Sequence, residues 1–134
     1  MKPLYQNYIL LVLVLVFINC SKEELSLDPN VNILGKWKII ENSLGPISYP
    51  GAYEEYLMDS ILYIYNSKDD YFYDQYWFSN SLLYKKHIYI NQITKDTLLV
   101  DIQSYQYEFL DNNTLRLDIQ NPALVPTFIY KRIN

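Results

Sequence analysis

From Ile33 to the C-terminus the chain breaks into short segments of strand-like composition, each stopped by turn residues before a helical repeat can establish itself. Residues 33–44 (ILGKWKIIENSL) open the series, with Trp37, Ile39 and Glu41 alternating against Lys36, Lys38 and Ile40. Further strands are expected at 71–78 (YFYDQYWF), 82–90 (LLYKKHIYI), 97–110, 114–119 (TLRLDI) and 126–133 (PTFIYKRI). Gly45-Pro46, Pro50-Gly51, the run Asn66 to Asp70, and Asp111-Asn112-Asn113 supply turns. Residues 52–62 (AYEEYLMDSIL) are two-faced. Tyr53, Tyr56, Leu57 and Ile61 fit a helical stripe, which predicts a helical turn handing over to a strand at 58–65. A bend near Ser104 is expected to divide 97–110 into two strands. Seven or eight strands with short connections and no long helix predict an all-β, antiparallel up-and-down arrangement. Closing it into an eight-stranded barrel removes exposed edges; a sandwich is the competitor.

Fifteen tyrosines against three glycines suit such strands, where aromatic side chains fit the pleated surface, and disfavour disorder. The formal charge is −4, and setting Lys2 aside leaves ten Lys/Arg against fifteen Asp/Glu. Basic residues gather only as the pairs Lys85-Lys86 and Lys131-Arg132, so no basic stripe marks a nucleic-acid partner.

The segment ahead of the strands has a different character. Met1 to Tyr8 carries the amino terminus and Lys2, and Ile9 to Ile18 (ILLVLVLVFI) is an unbroken apolar run. Ten residues at about 1.5 Å each cover roughly half of a bilayer core of about 30 Å, which suits a signal-peptide core and not a span. The only cysteine, Cys20, follows directly and has no partner for a disulfide within the chain. This stretch resembles the signal of bacterial lipoproteins, with Phe17 and Asn19 where that family usually carries Leu and a small residue. The resemblance implies cleavage before Cys20 and acylation of its thiol and amine. It divides the chain into a signal peptide (1–19), an acylated cysteine with tether (20–32) and a barrel domain (33–134). Two or more acyl chains hold a protein on a membrane; one does not. Lys22, Glu23 and Glu24 then resemble the export signal of Bacteroidetes lipoproteins, which implies an outer-membrane protein facing the exterior.

A second resemblance covers the domain. Leu34 to Lys38 (LGKWK) is similar to the G-x-W signature on the first strand of lipocalins. Phe128 to Arg132 (FIYKR) resembles the last strand of the lipocalin-like domains of small Bacteroidetes lipoproteins, and Tyr105 to Leu117 their penultimate hairpin. The second lipocalin signature, a T-D-Y-like segment, is not present in the sequence. The resemblance implies a lipocalin-like barrel in which first and last strands are neighbours. Arg132 would lie over Trp37, a cation–π contact of roughly 0.5–2 kcal/mol, with Gly35 passing close beneath.

Chemistry is sparse. His87, the only histidine, shares its strand parity with Lys85 and Tyr89 and is expected to face water. Without cysteine partners it makes no zinc site, and no G-x-S-x-G elbow accompanies any serine. Glu54-Glu55 and Asp69-Asp70 are adjacent and diverge. The expectation is a non-enzyme without metal or cofactor. Tyr53, Tyr56, Tyr63, Tyr65, Tyr71, Tyr73, Tyr76 and Trp77 are the candidate binding residues, because aromatic residues occupy both strand parities and some must face outward. They fit a small apolar or amphipathic ligand held in the barrel, its mouth formed by the Gly45–Tyr56 loop. The other reading is a filled barrel whose tyrosine-rich outer face meets a protein or a glycan.

Overall fold

The computed structural model describes residues 24–47, 49–91, 93–120, 123 and 125–134; the signal segment 1–19, Cys20, Lys22 and Glu23 lie outside them. Eight strands follow in order: β1 (Gly35–Asn42), β2 (Tyr53–Leu57), β3 (Ile61–Ser67), β4 (Asp70–Ser79), β5 (Leu82–Ile90), β6 (Thr97–Asp111), β7 (Thr114–Ile119) and β8 (Thr127–Ile133). Each pairs antiparallel with its neighbour in sequence, and β1 closes on β8 through Trp37–Arg132 and Ile39–Tyr130. The domain is thus an all-β, up-and-down, eight-stranded barrel, and the sandwich alternative is removed.

Two local expectations are corrected. Residues 53–57 are strand, not a helical turn. Tyr53, Glu55 and Leu57 face out while Glu54 and Tyr56 face in, and β2 pairs β3 from Tyr53–Tyr65 to Leu57–Ile61. A 3-10 turn follows at Met58–Ser60, where Asp59 and Ser60 take positive φ to reverse the chain. β6 runs unbroken through Ser104 for 15 residues. Ser104 marks a change of partner instead, since its carbonyl accepts from Gln120 N at 2.9 Å where β7 takes over. In β1 a bulge between Ile39 and Glu41 ends the predicted alternation and leaves Ile40 exposed.

One end of the barrel is plugged. The short helix α1 (Pro29–Ile33) starts at Asp28, whose side chain accepts from Asn30 N at 2.9 Å, with Pro29 pre-set for the first turn. Ile33 is fully buried, and Trp37 Nε1 donates to its carbonyl at 2.6 Å. Arg132 lies 4.3 Å from the centre of the Trp37 ring and donates to the carbonyls of Asn32 (2.7 Å), Asn112 (2.9 Å) and Leu34. Gly35 adopts φ +110°, a conformation that calls for glycine, and a Cβ there would stand 2.9 Å from Arg132 Nη1 and push the guanidinium aside. Leu62, Leu83, Leu115 and Leu117 are also completely buried in the core. The 43–52, 66–70 and 91–96 connections gather at the opposite end.

Candidate functional site

Above the plug the inward positions turn polar. Lys85 on β5 is 2% exposed, and its ammonium donates to Glu54 Oε2 at 2.6 Å. Three rings surround it, Tyr105 at 4.9 Å, Tyr130 at 5.3 Å and Tyr56 at 5.5 Å from Nζ, close enough for cation–π attraction. Tyr56 OH donates to the same Glu54 oxygen at 2.8 Å, and Tyr130 OH donates to Oε1 at 3.1 Å. Tyr105 OH turns to Gln103 Oε1, whose amide donates to Asp101. Burial pushes the Glu54 carboxyl up, but the charge of Lys85 and the hydrogen bonds from Lys85, Tyr56 and Tyr130 outweigh it. The carboxyl is held below its ordinary value.

His87 is the third correction. It faces inward on the same strand face as Leu83 and Lys85 and contacts the buried Asp74 carboxylate. The inward face is polar because Glu54 lies opposite Lys85 and Asp74 opposite His87. Asp74 Oδ1 also takes Ile88 N at 3.4 Å, bridging β4 and β5 where their ladder has ended at Gln75–Lys86. Among the described residues no buried side-chain polar atom lacks a hydrogen-bond partner, and no group of three or more His, Cys, Asp or Glu is placed to hold a metal. A network satisfied to this degree is rigid.

Burial, followed by the negative charge of Glu54, raises the pKa of Tyr56, Tyr105 and Tyr130 above the usual tyrosine value. A raised folded-state pKa means that the neutral form is favoured by folding. Its contribution is complete below the unfolded value near 10 and is lost as pH rises through the folded one. We therefore expect ultraviolet titration to show these three ionising late, together with the loss of the strand signal in circular dichroism. Smooth titration of all fifteen tyrosines with the fold intact would contradict the cage.

Toward the open end lies a cavity of about 250 Å³. Trp37, Ile39, Ile47, Ala52 and Ile64 form its apolar wall, Tyr49 and Tyr53 its rim, and Asn42, Asn66 and Glu54 its polar points. Glu54 is its only ionisable carboxylate, with a side chain still 16% exposed. The barrel is thus filled around Lys85, and the cavity lies to one side of it, between β1, β2, β3 and the 43–52 loop.

The sequence-predicted aromatic residues divide between two places. Tyr56 and Tyr76 are inside, ring centres 5.0 Å apart and edge to face, with Tyr76 OH donating to Leu57 O at 2.8 Å. Tyr53, Tyr63, Tyr65, Tyr71 and Tyr73 form a ladder on the outer wall: Tyr53 stacks on Tyr65 at 5.0 Å, and Tyr63 meets Tyr73 at 5.0 Å and Tyr71 at 6.0 Å. Trp77, also outside, stacks on Tyr84 at 5.3 Å with the planes within 3°. Gly35, Trp37 and Arg132 come together at the plug, and Glu24 is exposed. Sequence reasoning missed Glu54, Lys85 and Asp74. Their only early signal was that charged residues fell on the parity of apolar ones. No protein-family model, no curated protein and no solved structure significantly matches the chain.

Proposed function

We propose that this chain is a lipid-anchored, lipocalin-like binding protein of the bacterial outer surface. It holds a small amphipathic molecule at the barrel mouth and performs no catalysis. The observation that carries the reading is the half-apolar cavity with Glu54 at its base. A carboxylate offers about four acceptor positions, and Lys85, Tyr56 and Tyr130 use three, so one more donor fits on Oε1. A ligand carboxylate would face the charge of Glu54, and a ligand ammonium that of Lys85. A neutral head such as a hydroxyl suits both. At about 30 Å³ per water-sized unit the cavity takes roughly eight, fewer than a long-chain lipid requires. Tether residues 24–28 lead into α1 at the plugged end, so an anchor at Cys20 would leave the mouth pointing away from the membrane.

All core residues lie between Ile33 and Tyr130, so Leu25–Asn134 is the piece to test. With Trp77→Phe, Trp37 becomes the sole tryptophan and reports on the cavity. A medium-chain primary alcohol should change its emission saturably and one to one. The carboxylic acid of equal length should bind about tenfold more weakly, because a charge must be buried beside Glu54. Ala52→Leu should block the alcohol. Equal binding of the acid, or binding indifferent to Ala52→Leu, would sink the proposal.

The outer tyrosine ladder favours a second reading, in which the wall of β2–β4 meets a glycan or a protein. There, Tyr63→Ala with Tyr73→Ala would abolish capture on a glycan array while alcohol binding persisted.

A further inference from the structure

The β5–β6 hairpin outruns the barrel. The β4–β5 ladder stops at Gln75–Lys86, and the β6–β7 ladder starts only at Tyr105–Ile119, yet β5 and β6 stay paired out to Ile90–Thr97. Residues 87–90 and 97–103 thus form a two-stranded arm beyond the wall. Its turn is well built: Asn91 N donates to Asp96 O at 2.9 Å, and Asn91 Oδ1 accepts from Ile93 N at 2.8 Å. Among the described residues no strand pairs with the outer edge of either half. On the β5 side Asp74 takes the Ile88 N–H, whereas the β6 edge from Thr97 to Gln103 has no such cover among the described residues.

The outer face of the arm is apolar and exposed, whereas its inner face mixes Tyr89 and Leu99 with His87, Asp101 and Gln103. Leu98 (65%), Val100 (44%) and Ile102 (55%) line the outer face of β6 beside Ile90 (47%). Tyr89 (52%) and Leu99 (58%) lie on the other face, and Ile93 (91%) caps the turn. On the outer face Leu98, Val100, Ile102 and Ile90 together leave about two whole apolar side chains in water, beside the edge that a second β6 would cover. A two-stranded ribbon with no layer against it is marginal in water, and a long apolar edge is a template for another strand.

We propose that the arm is where two copies of this chain pair, through the β6 edges that no described residue covers, antiparallel about a twofold axis at Val100. Val100 is the midpoint of that stretch, so this register alone uses all of 97–103. It sets Val100 against Val100 and Leu98 against Ile102 of the other copy, an unbroken apolar row on the outer face. On the other face Leu99 meets Asp101. Centring on Asp101 would oppose two carboxylates, which disfavours that slip. A self-complementary patch of this kind is what a twofold dimer requires. The closed ends then point away from each other, so anchored copies would join from facing surfaces.

The test uses the full chain in detergent, Cys20 retained. Opposed residues of an antiparallel pair lie about 4.5–5.5 Å apart at Cα, within disulfide reach. Val100→Cys should give a disulfide-linked dimer under mild oxidation, at least tenfold more than Glu108→Cys, which is exposed on β6 where the strand is already paired with β7. Sedimentation should show a dimer that Val100→Lys and Ile102→Lys each convert to monomer with an unchanged circular dichroism spectrum. A wild-type monomer at high concentration, or equal cross-linking at both cysteines, overturns the proposal. So does an arm whose lysine variants lose only vesicle binding, which would assign it to lipid.

Discussion

Replacing Lys85 with Met is expected to destabilise the barrel by about 3–5 kcal/mol, because it leaves the Glu54 carboxylate buried without its cation. Against a typical domain stability of about 5–15 kcal/mol this is close to unfolding. Methionine keeps most of the volume inside the Tyr56, Tyr105 and Tyr130 rings, so the loss reports charge more than packing. Adding Glu54→Gln should recover more than half of it, since the amide oxygen accepts from one tyrosine, the amide NH2 donates to the hydroxyl of the other, and no charge is left to solvate. The pH dependence should reverse sign. In the wild type the Glu54 pKa is lowered, so its contribution is present above the ordinary value of 4.5 and is lost as pH falls through the folded one. In Lys85→Met burial is opposed only by the Tyr56 and Tyr130 hydrogen bonds, the carboxyl pKa rises, and acid relieves the defect. Denaturant midpoints at neutral and mildly acidic pH decide it. Equal losses at both would show that the ion pair is not the cause.

Arg132→Ala should cost roughly 3–4 kcal/mol, from a cation–π contact and three charge-assisted hydrogen bonds that do not add fully. The carbonyls of Asn32 and Leu34 lose a donor together, so α1 should come loose from the plug before the barrel opens. Hydrogen exchange at Val31, Asn32 and Ile33 would then accelerate more than exchange in β3 or β4. Arg132→Lys should fall in between, because an ammonium is a point donor and cannot span three carbonyls as the planar guanidinium does. Uniform acceleration across all strands would mean that Arg132 supports the barrel as a whole.

How far the sequence led depended on whether a residue's partner was local. β5 and β7 were legible to the residue because turn chemistry bounds them on both sides, and the antiparallel barrel followed from short connections. β2 misled because Tyr53, Tyr56, Leu57 and Ile61 mimic a helical stripe, while the deciding fact is that Glu54 points inward. That is visible only with Lys85, 31 residues away, in place. His87 misled for the same reason: an inward histidine requires Asp74 opposite. Ser104 was correctly singled out and wrongly interpreted, since an exchange of ladder partners leaves the same local signal as a bend. The plug was legible as a resemblance, but the cavity above it was not, because its volume depends on how β1, β2, β3 and the 43–52 loop diverge. Which side chains line the mouth is a property of barrel shear, and strand parity does not encode it.

Where a ligand binds decides between the cavity and the outer wall. The most direct measurement is a two-dimensional amide NMR titration of Leu25–Asn134 with the medium-chain alcohol. Saturable shifts confined to Ile39, Ile47, Ala52, Glu54 and Ile64 are the predicted result, since these residues enclose the cavity. Shifts confined to Tyr63, Tyr73 and Trp77 on the outer wall, or none at any residue, would contradict it.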